Sequence, residues 1–308
     1  MLIHRGIKVR CLVRPFRNNL NWISNLPVEI VEGDLLHPDT IGSALKDVDY
    51  IIHIAGITKA KRKKEYADGN LVTTRNLLEI AAASGGLKKI CYVSSLTAVG
   101  PSPTSLPFDE QTPCHPISPY GKSKFDAEQV CHEFASRLPI VIIRPPTVYG
   151  PRDKDILEVF RASKMGIQPS FGSTRKTLSL VYGPDLAEAI VESTISEKTA
   201  GKTYFVSDPQ VYSQTRVFDI VATLVGRHAF RMRLPKSMVY AVAGAVQFIS
   251  VFGSKPALLS LDKARDLVQD HWVCNPEAIR RDIGFVSKTT ADEGLRLTYA
   301  WYKANNWI

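Results

Sequence analysis

Ser118-Pro119-Tyr120-Gly121-Lys122-Ser123-Lys124 opens a helical pattern over residues 120–137. Apolar runs flank it at residues 89–93 and 140–143, and the earlier run ends in Ser94-Ser95. Strand, helix and strand in that order form the unit that builds a parallel sheet. Tyr120 and Lys124 stand at i and i+4 and so share one helix face. An ammonium so placed favours the phenolate, lowers the phenol's pKa and makes it a usable acid or base near neutrality. A serine hydroxyl from the neighbouring strand end can hold a carbonyl oxygen beside that phenol. The constellation suits moving a proton on and off a carbinol or ketone.

The same spacing recurs at Tyr299 and Lys303, within Leu297-Thr-Tyr-Ala-Trp-Tyr-Lys303. No serine-bearing strand precedes that copy. It reads as a terminal helix packing Tyr299 with Trp301 or Tyr302.

Outward from Tyr120, the first half alternates strands and helices. Residues 7–13, 28–31 and 50–54 read as strands, the last a continuous apolar run as expected of a strand covered on both faces. Residues 39–45 are helix-like. Residues 71–83 repeat apolar positions at helical spacing and stop at Gly85-Gly86. Residues 101–119 are a loop rich in Pro and Ser. The alternation predicts an α/β fold, a Rossmann-like doubly wound parallel sheet. Beyond it come a helix within residues 151–172, a strand at 178–182, a helix from Asp185 and a short strand at 204–206. Helices and connectors follow from Ser213. Residues 1–150 are expected to form the Rossmann-like domain. Residues 151–308 are expected to form mainly a smaller C-terminal substrate lobe, with some segments returning to the sheet.

The 308 residues are 44% apolar and 22% charged, ordinary for a soluble globular protein. The net charge is +9, much of its visible bias lying in Lys59, Lys61, Arg62, Lys63 and Lys64, which read as a solvated loop. No aromatic-basic interleaving accompanies them, so no nucleic-acid partner is expected. Cys11, Cys91, Cys114, Cys131 and Cys274 are irregularly spaced and read as free thiols in a reducing, cytoplasmic setting. The seven histidines are scattered without ligand spacing, so no metal site is expected. Residues 238–252 are apolar but short for a span and interrupted by Gly244 and Gln247. They read as a core helix, with a greasy substrate wall or a membrane-surface contact as alternatives, and no integral membrane segment is expected. The start, Met1-Leu-Ile-His-Arg-Gly6, is too soon broken to be a signal peptide.

Cys11-Leu-Val-Arg14, Gly33-Asp-Leu35, His53-Ile-Ala-Gly56, Asn70 with Thr74-Arg-Asn-Leu-Leu78, Tyr92-Val-Ser-Ser95, Tyr120-Gly-Lys-Ser-Lys124 and Arg144-Pro-Pro-Thr-Val-Tyr-Gly-Pro151 follow one another along the chain. In that order they resemble the extended short-chain dehydrogenase/reductases. That group includes NAD(P)-dependent epimerases, dehydratases and dihydroflavonol-reductase-like enzymes. The resemblance spans nearly the whole length, and the ending from His271-Trp-Val-Cys274 is similar to the reductase-like branch. It implies that Tyr120 is the general acid/base, that Lys124 holds the nicotinamide ribose and tunes Tyr120, and that Ser95, or else Ser94, binds the substrate oxygen. It implies that Asp34 and Leu35 frame the adenine, that Ala55 and Gly56 let the backbone approach the cofactor, and that Thr147 and Val148 lie by the carboxamide. Arg14, where an acid would suit a bare 2′-hydroxyl, favours NADP over NAD. Structural readings stand beside these: a turn cap for Asp34, tight packing for Gly56, a core amide for Asn70. A homodimer is common in the resembled group.

One departure bears on the cofactor. The group opens with a strand and a glycine-rich turn that holds the pyrophosphate, and no Gly-x-x-Gly-x-x-Gly occurs here. Leu2-Ile-His-Arg-Gly6 resembles the end of the first helix, which implies that about 20 residues of strand, turn and helix are absent. Two neighbouring strands would then lack a partner, and a misplaced start or an incomplete sequence is the expected cause. The leading expectation is hydride transfer between nicotinamide and a substrate carbinol or ketone carbon, leaning towards a ketone/alcohol reductase of a partly apolar small molecule. A nucleotide-sugar epimerase is the alternative, and a non-catalytic dinucleotide- or partner-binding subunit the rival from another class.

Overall fold

The computed structural model describes residues 1–15, 20–173, 175–251 and 259–308. Strands β1 (Arg10–Val13) and β2 (Glu29–Glu32) pair in parallel. After two short 3-10 turns, at Pro38–Thr40 and Gly42–Leu45, comes β3 (Tyr50–His53). A helical stretch then runs through α1 (Lys63–Tyr66), a π-helical segment (Ala67–Val72) and α2 (Thr73–Ser84). It starts earlier than the apolar spacing predicts. Lys63 and Lys64, expected in a solvated loop, are its first residues, and Lys59 pairs with Asp155 at 3.0 Å. β4 (Lys89–Val93), α3 (Pro119–Glu133), β5 (Ile140–Arg144) and β6 (Thr147–Tyr149) follow.

The second half contains α4 (Asp155–Lys164), β7 (Ile167–Phe171), β8 (Thr177–Tyr182), α5 (Gly183–Ile195), β9 (Thr203–Phe205), β10 (Val211–Ser213) and α6 (Gln214–Val225). β11 (Phe230–Leu234), α7 (Lys236–Val251), α8 (Leu261–Leu267), β12 (His271–Trp272), α9 (Glu277–Ile283) and α10 (Ala291–Ala304) complete it. Strands β11 and β12 lie where only helices and connectors are expected. β12 is only two residues long, whereas β11, Phe230-Arg-Met-Arg-Leu234, does alternate apolar and basic residues, a strand signal within a stretch otherwise dominated by helical patterns.

The central sheet is parallel with order β3-β4-β5-β9. Its alternating residues explain why its strands read as unbroken apolar runs. Cys91, Val93, Val141 and Ile143 pack with Leu186, Ala189 and Ile190 of α5. Ile90, Tyr92, Ile140 and Ile142 face the other way, against Leu78 of α2 and Val130 of α3. Helices cover both faces, the Rossmann-like doubly wound arrangement. Among the described residues no strand pairs with the remaining edge of β1 or of β3, although Leu12 and Ile51 both pack on the apolar cluster of Leu35, Ile41, Leu45 and Leu77.

Two C-terminal elements complete the account. In α10, Tyr299 stacks on Phe160 at 5.1 Å and the buried Tyr302 donates to the Asp153 carbonyl at 2.5 Å, while Lys303 lies over the Tyr299 ring. This second tyrosine–lysine pair therefore packs a helix. Among the described residues of α7 only Val239 and Ala243 are fully buried, whereas Met238, Tyr240, Val242, Phe248 and Ile249 are exposed. The expected core helix is thus a surface helix with an apolar outer face, and Phe252, the end of that apolar stretch, lies outside the described residues. No helix among the described residues is long and apolar enough to cross a membrane.

Behind the site, Arg144 makes a two-pronged pair with Glu128, at 3.0 and 2.6 Å, and both side chains are almost wholly buried. Removing one partner strands a charge in a dry setting. Glu128→Ala should lower stability by about 3–5 kcal/mol in urea denaturation, and Glu128→Met with Arg144→Met together should recover much of the loss.

Candidate active site

The first turn of α3 sets the site. Ser118 is its N-cap and accepts from the Gly121 N–H at 3.2 Å, while Pro119 occupies the first helical turn, where its missing N–H costs nothing. The helix therefore starts one residue before Tyr120. Gly121 then sits directly on the 3-10 turn Leu96–Ala98: a Cβ there would collide with the Thr97 carbonyl oxygen. Only glycine lets the two segments approach this closely.

Asn70 fastens the third wall. It lies in the π-helical segment and is 1% exposed. Its Oδ1 accepts from the Ile57 N–H at 2.8 Å, and its Nδ2 donates to the Ile57 carbonyl at 3.1 Å and to Ser123 Oγ at 2.8 Å. Ser123 in turn donates to the Tyr120 carbonyl at 2.7 Å. The loop after β3 is thereby tied to α3, and a Cβ on Gly56 would come within 2.7 Å of Asn70 Oδ1. Both structural readings, a core amide at Asn70 and a tight approach at Gly56, describe what these residues do here.

Ser95 follows β4 and Tyr120 comes to meet it. Ser95 Oγ accepts from the Thr97 N–H at 3.2 Å and from Thr97 Oγ1 at 2.9 Å. Those two bonds occupy both lone pairs of the serine oxygen. Its own proton is left free, and the hydroxyl pulls the Tyr120 pKa down. Ser94, on the opposite side of the chain, is buried, and its hydroxyl has no partner among the described residues. Ser95 is thus the serine brought to Tyr120. Thr97, which orients it, was legible only as a hydroxyl two positions on.

The electrostatics differ from expectation. Burial pushes the Tyr120 phenol up to about 12, and the nearby Asp266 and Tyr66 add to the rise, against a downward pull from Ser95. Lys124 is 4% exposed; its ammonium donates to the Val93 carbonyl at 2.6 Å and lies 4.5 Å over the Tyr92 ring. Burial brings it down to about 8, with Glu128 opposing. Lys124 is not among the groups that shift Tyr120, and burial dominates, so the expected lowering of the phenol by the lysine does not occur. His53, buried near Lys124, is pushed down to about 3 and stays neutral beside Thr74 Oγ1 at 2.9 Å.

The remaining candidates divide. Ala55 and Gly56 after β3, and Thr147 and Val148 after β5, are exposed at the carboxyl ends of the central strands, where ligands of open α/β sheets bind. Arg14 is exposed directly after β1. Asp34 caps its turn, with Oδ1 accepting from the Leu36 N–H at 3.0 Å. Leu35 is buried against Ile41 and Leu45, so its side chain packs the core rather than facing a ligand. Among the described residues no group of three His, Cys, Asp or Glu is placed to hold a metal.

Comparison with known proteins adds to this geometry. The model of the NAD dependent epimerase/dehydratase family matches residues 1–206. The ceramide reductase of Caulobacter vibrioides is 27% identical over 308 residues, covering 100% of this chain and 90% of the relative. A UDP-glucose 4-epimerase of Vibrio cholerae is 27% identical, covering 94% of this chain and 87% of the relative. The solved structure of UDP-glucuronic acid 4-epimerase from Bacillus cereus, in complex with UDP-glucuronic acid and NAD, superposes with a TM-score of 0.79 at 20% identity, covering 99% of this chain and 93% of that one.

The seating of α3 gives a direct check. Gly121→Ala must push the helix off the Thr97 turn. It should cost about 1–3 kcal/mol of stability by urea denaturation, whereas alanine at the exposed Lys122 should change little.

Proposed function

The chain belongs to the NAD dependent epimerase/dehydratase family, and on that premise we propose that it interconverts a ketone and its alcohol, with Tyr120 moving the proton. The observation that carries this reading is the Thr97–Ser95–Tyr120 relay. Ser95 has its lone pairs filled and its proton free, so it can donate to a carbonyl oxygen. Tyr120, held protonated by burial, can deliver its proton to the same oxygen as the carbinol carbon accepts hydride. The protonated phenol suits the reducing direction. Lys124, anchored on the Val93 carbonyl, keeps a positive charge behind the phenol below about pH 8.

The residues fit a nicotinamide dinucleotide on its nicotinamide side. A Cβ on Gly56 would lie 2.7 Å from Asn70 Oδ1 and 3.9 Å from Lys124 Nζ, and Ala55, Thr147 and Val148 present exposed surface at the carboxyl ends of the central strands. These residues, with Lys124, would hold the nicotinamide and its ribose, and the bound cofactor would supply or take the hydride. Arg14 would face the adenosine end and favour NADP, while the Asp34 turn would border the adenine. The apolar outer face of α7 favours a partly apolar ketone over a nucleotide sugar, and the relation to a ceramide reductase supports that lean. The related epimerases supply the second reading.

Four outcomes follow. Tyr120→Phe should lower turnover about a hundred- to ten-thousand-fold, the usual worth of a positioned acid, with the stability unchanged. The rate of ketone reduction should fall as pH rises through about 8, because Lys124 is charged below that value and neutral above it, and Lys124→Met should lack that limb. With NADPH or NADH monitored by absorbance, the hydrophobic ketone deoxybenzoin should be consumed and UDP-glucose should not; turnover of nucleotide sugars alone would reject the reductase reading. Arg14→Asp should weaken NADPH binding more than NADH binding, and tighter NADPH binding by the variant would remove Arg14 from that role.

A further inference from the structure

Helix α7 wears its apolar side outward. Met238, Val242 and Ile249 stand at i, i+4 and i+11 and so form one stripe, with Ala241 and Ala245 beside it. All five are exposed, Met238 by 48%, Val242 by 44% and Ile249 by 69%. Polar residues of the helix turn to the protein instead. Gln247 Oε1 accepts from the Leu261 N–H, at the head of α8, at 2.9 Å, and Ser250 donates to the Gln247 carbonyl at 2.7 Å.

The apolar surface continues onto the ribbon of β7 and β11. Ile167 lies opposite Phe230, Pro169 opposite Met232 and Phe171 opposite Leu234. Alternate residues of a strand share a face, so these three pairs look the same way. Phe171 and Leu234 pack on the cluster that holds Val239 and Ala243 of α7. The exposed Ile167, Phe230 and Met232 therefore lie on the side of the ribbon that α7 occupies.

Charge of one sign borders this surface. Residues 220–261 contain no Asp or Glu, yet include Arg227, Arg231, Arg233, Lys236 and Lys255. Arg231 alternates onto the other face of the ribbon and pairs with Asp219. Arg227 and Arg233 donate to the carbonyls of Lys164 and Gly172, at 2.7 and 2.8 Å. Those bonds hold the guanidinium groups in place without neutralising them. Lys236, the first residue of α7, is exposed. Large exposed apolar surface marks a contact with protein or membrane. An apolar face with an acid-free basic border suits a surface that is uniformly anionic outside and apolar beneath, which is a lipid bilayer.

We propose that α7 and the β7–β11 ribbon rest on an anionic bilayer surface. Met238, Val242, Ile249 and Phe230 enter the boundary of the acyl chains, while Arg227, Arg233 and Lys236 lie at the level of the phosphates. The helix lies along the membrane and does not cross it. This docking is independent of the reaction assigned above.

Flotation of the full chain with vesicles tests it. At low salt, vesicles of equal parts phosphatidylglycerol and phosphatidylcholine should bind the protein about a hundredfold more strongly than phosphatidylcholine alone, at roughly fivefold per basic residue. Val242→Ser with Ile249→Ser should weaken binding about tenfold or more through lost apolar burial, and Lys236→Gln about fivefold. These side chains are exposed, so the urea midpoints should match the wild type; Lys236→Gln keeps the test open should the double variant unfold. A wild type that floats with neither vesicle, or equally with both, overturns the proposal. So does a folded double variant that floats like the wild type. A lipid-free dimer by sedimentation that the double variant turns into a monomer also overturns it, because the face would then meet a second copy.

Discussion

The site depends on one close approach, the first turn of α3 lying on the Thr97 carbonyl with no side chain at Gly121 between them. That contact puts Tyr120 beside Ser95. It also lets Ser123, one turn along, meet the amide of Asn70, which grips both backbone groups of Ile57. Three segments far apart in sequence are thus fixed by buried hydrogen bonds that leave few groups unsatisfied. Such a network is worth more than its separate bonds because its members hold one another in register. It precedes the chemistry: without it Tyr120 and Ser95 are two ordinary polar residues.

Burial then decides how those residues are charged. Desolvation leads in raising Tyr120 and in lowering Lys124 and His53. Each therefore favours its neutral form more than it would in water. The result is a proton store rather than a poised base. A protonated phenol, a serine with its lone pairs filled and a partly charged ammonium behind them suit donation to an oxygen that is gaining negative charge.

The central sheet and its order of strands were legible because β3, β4 and β5 are buried on both faces and carry unbroken apolar runs. That Tyr120 and Lys124 lie on one helix, with Ser95 at the neighbouring strand end, was legible from spacing and from the ordered series of motifs around them. The helix before Asn70 was missed at its start, because Lys63 and Lys64 look like surface charge and the π-helical segment breaks the helical period. The apolar stretch in α7 was misplaced in the core, since composition cannot say whether an apolar helix meets protein on every side. Thr97 carried no local signal. It matters through the lone pairs of a neighbour. The sign of the Tyr120 shift was also beyond the sequence, because it is set by how much water the fold excludes.

The most direct measurement follows the hydride itself. Deoxybenzoin incubated with NADPH carrying deuterium at both positions of nicotinamide C4 should give an alcohol with deuterium on the new carbinol carbon. In deuterated water with ordinary NADPH, that carbon should carry none. An alcohol labelled from solvent at that carbon, or no alcohol from any ketone or nucleotide sugar offered, would contradict the account.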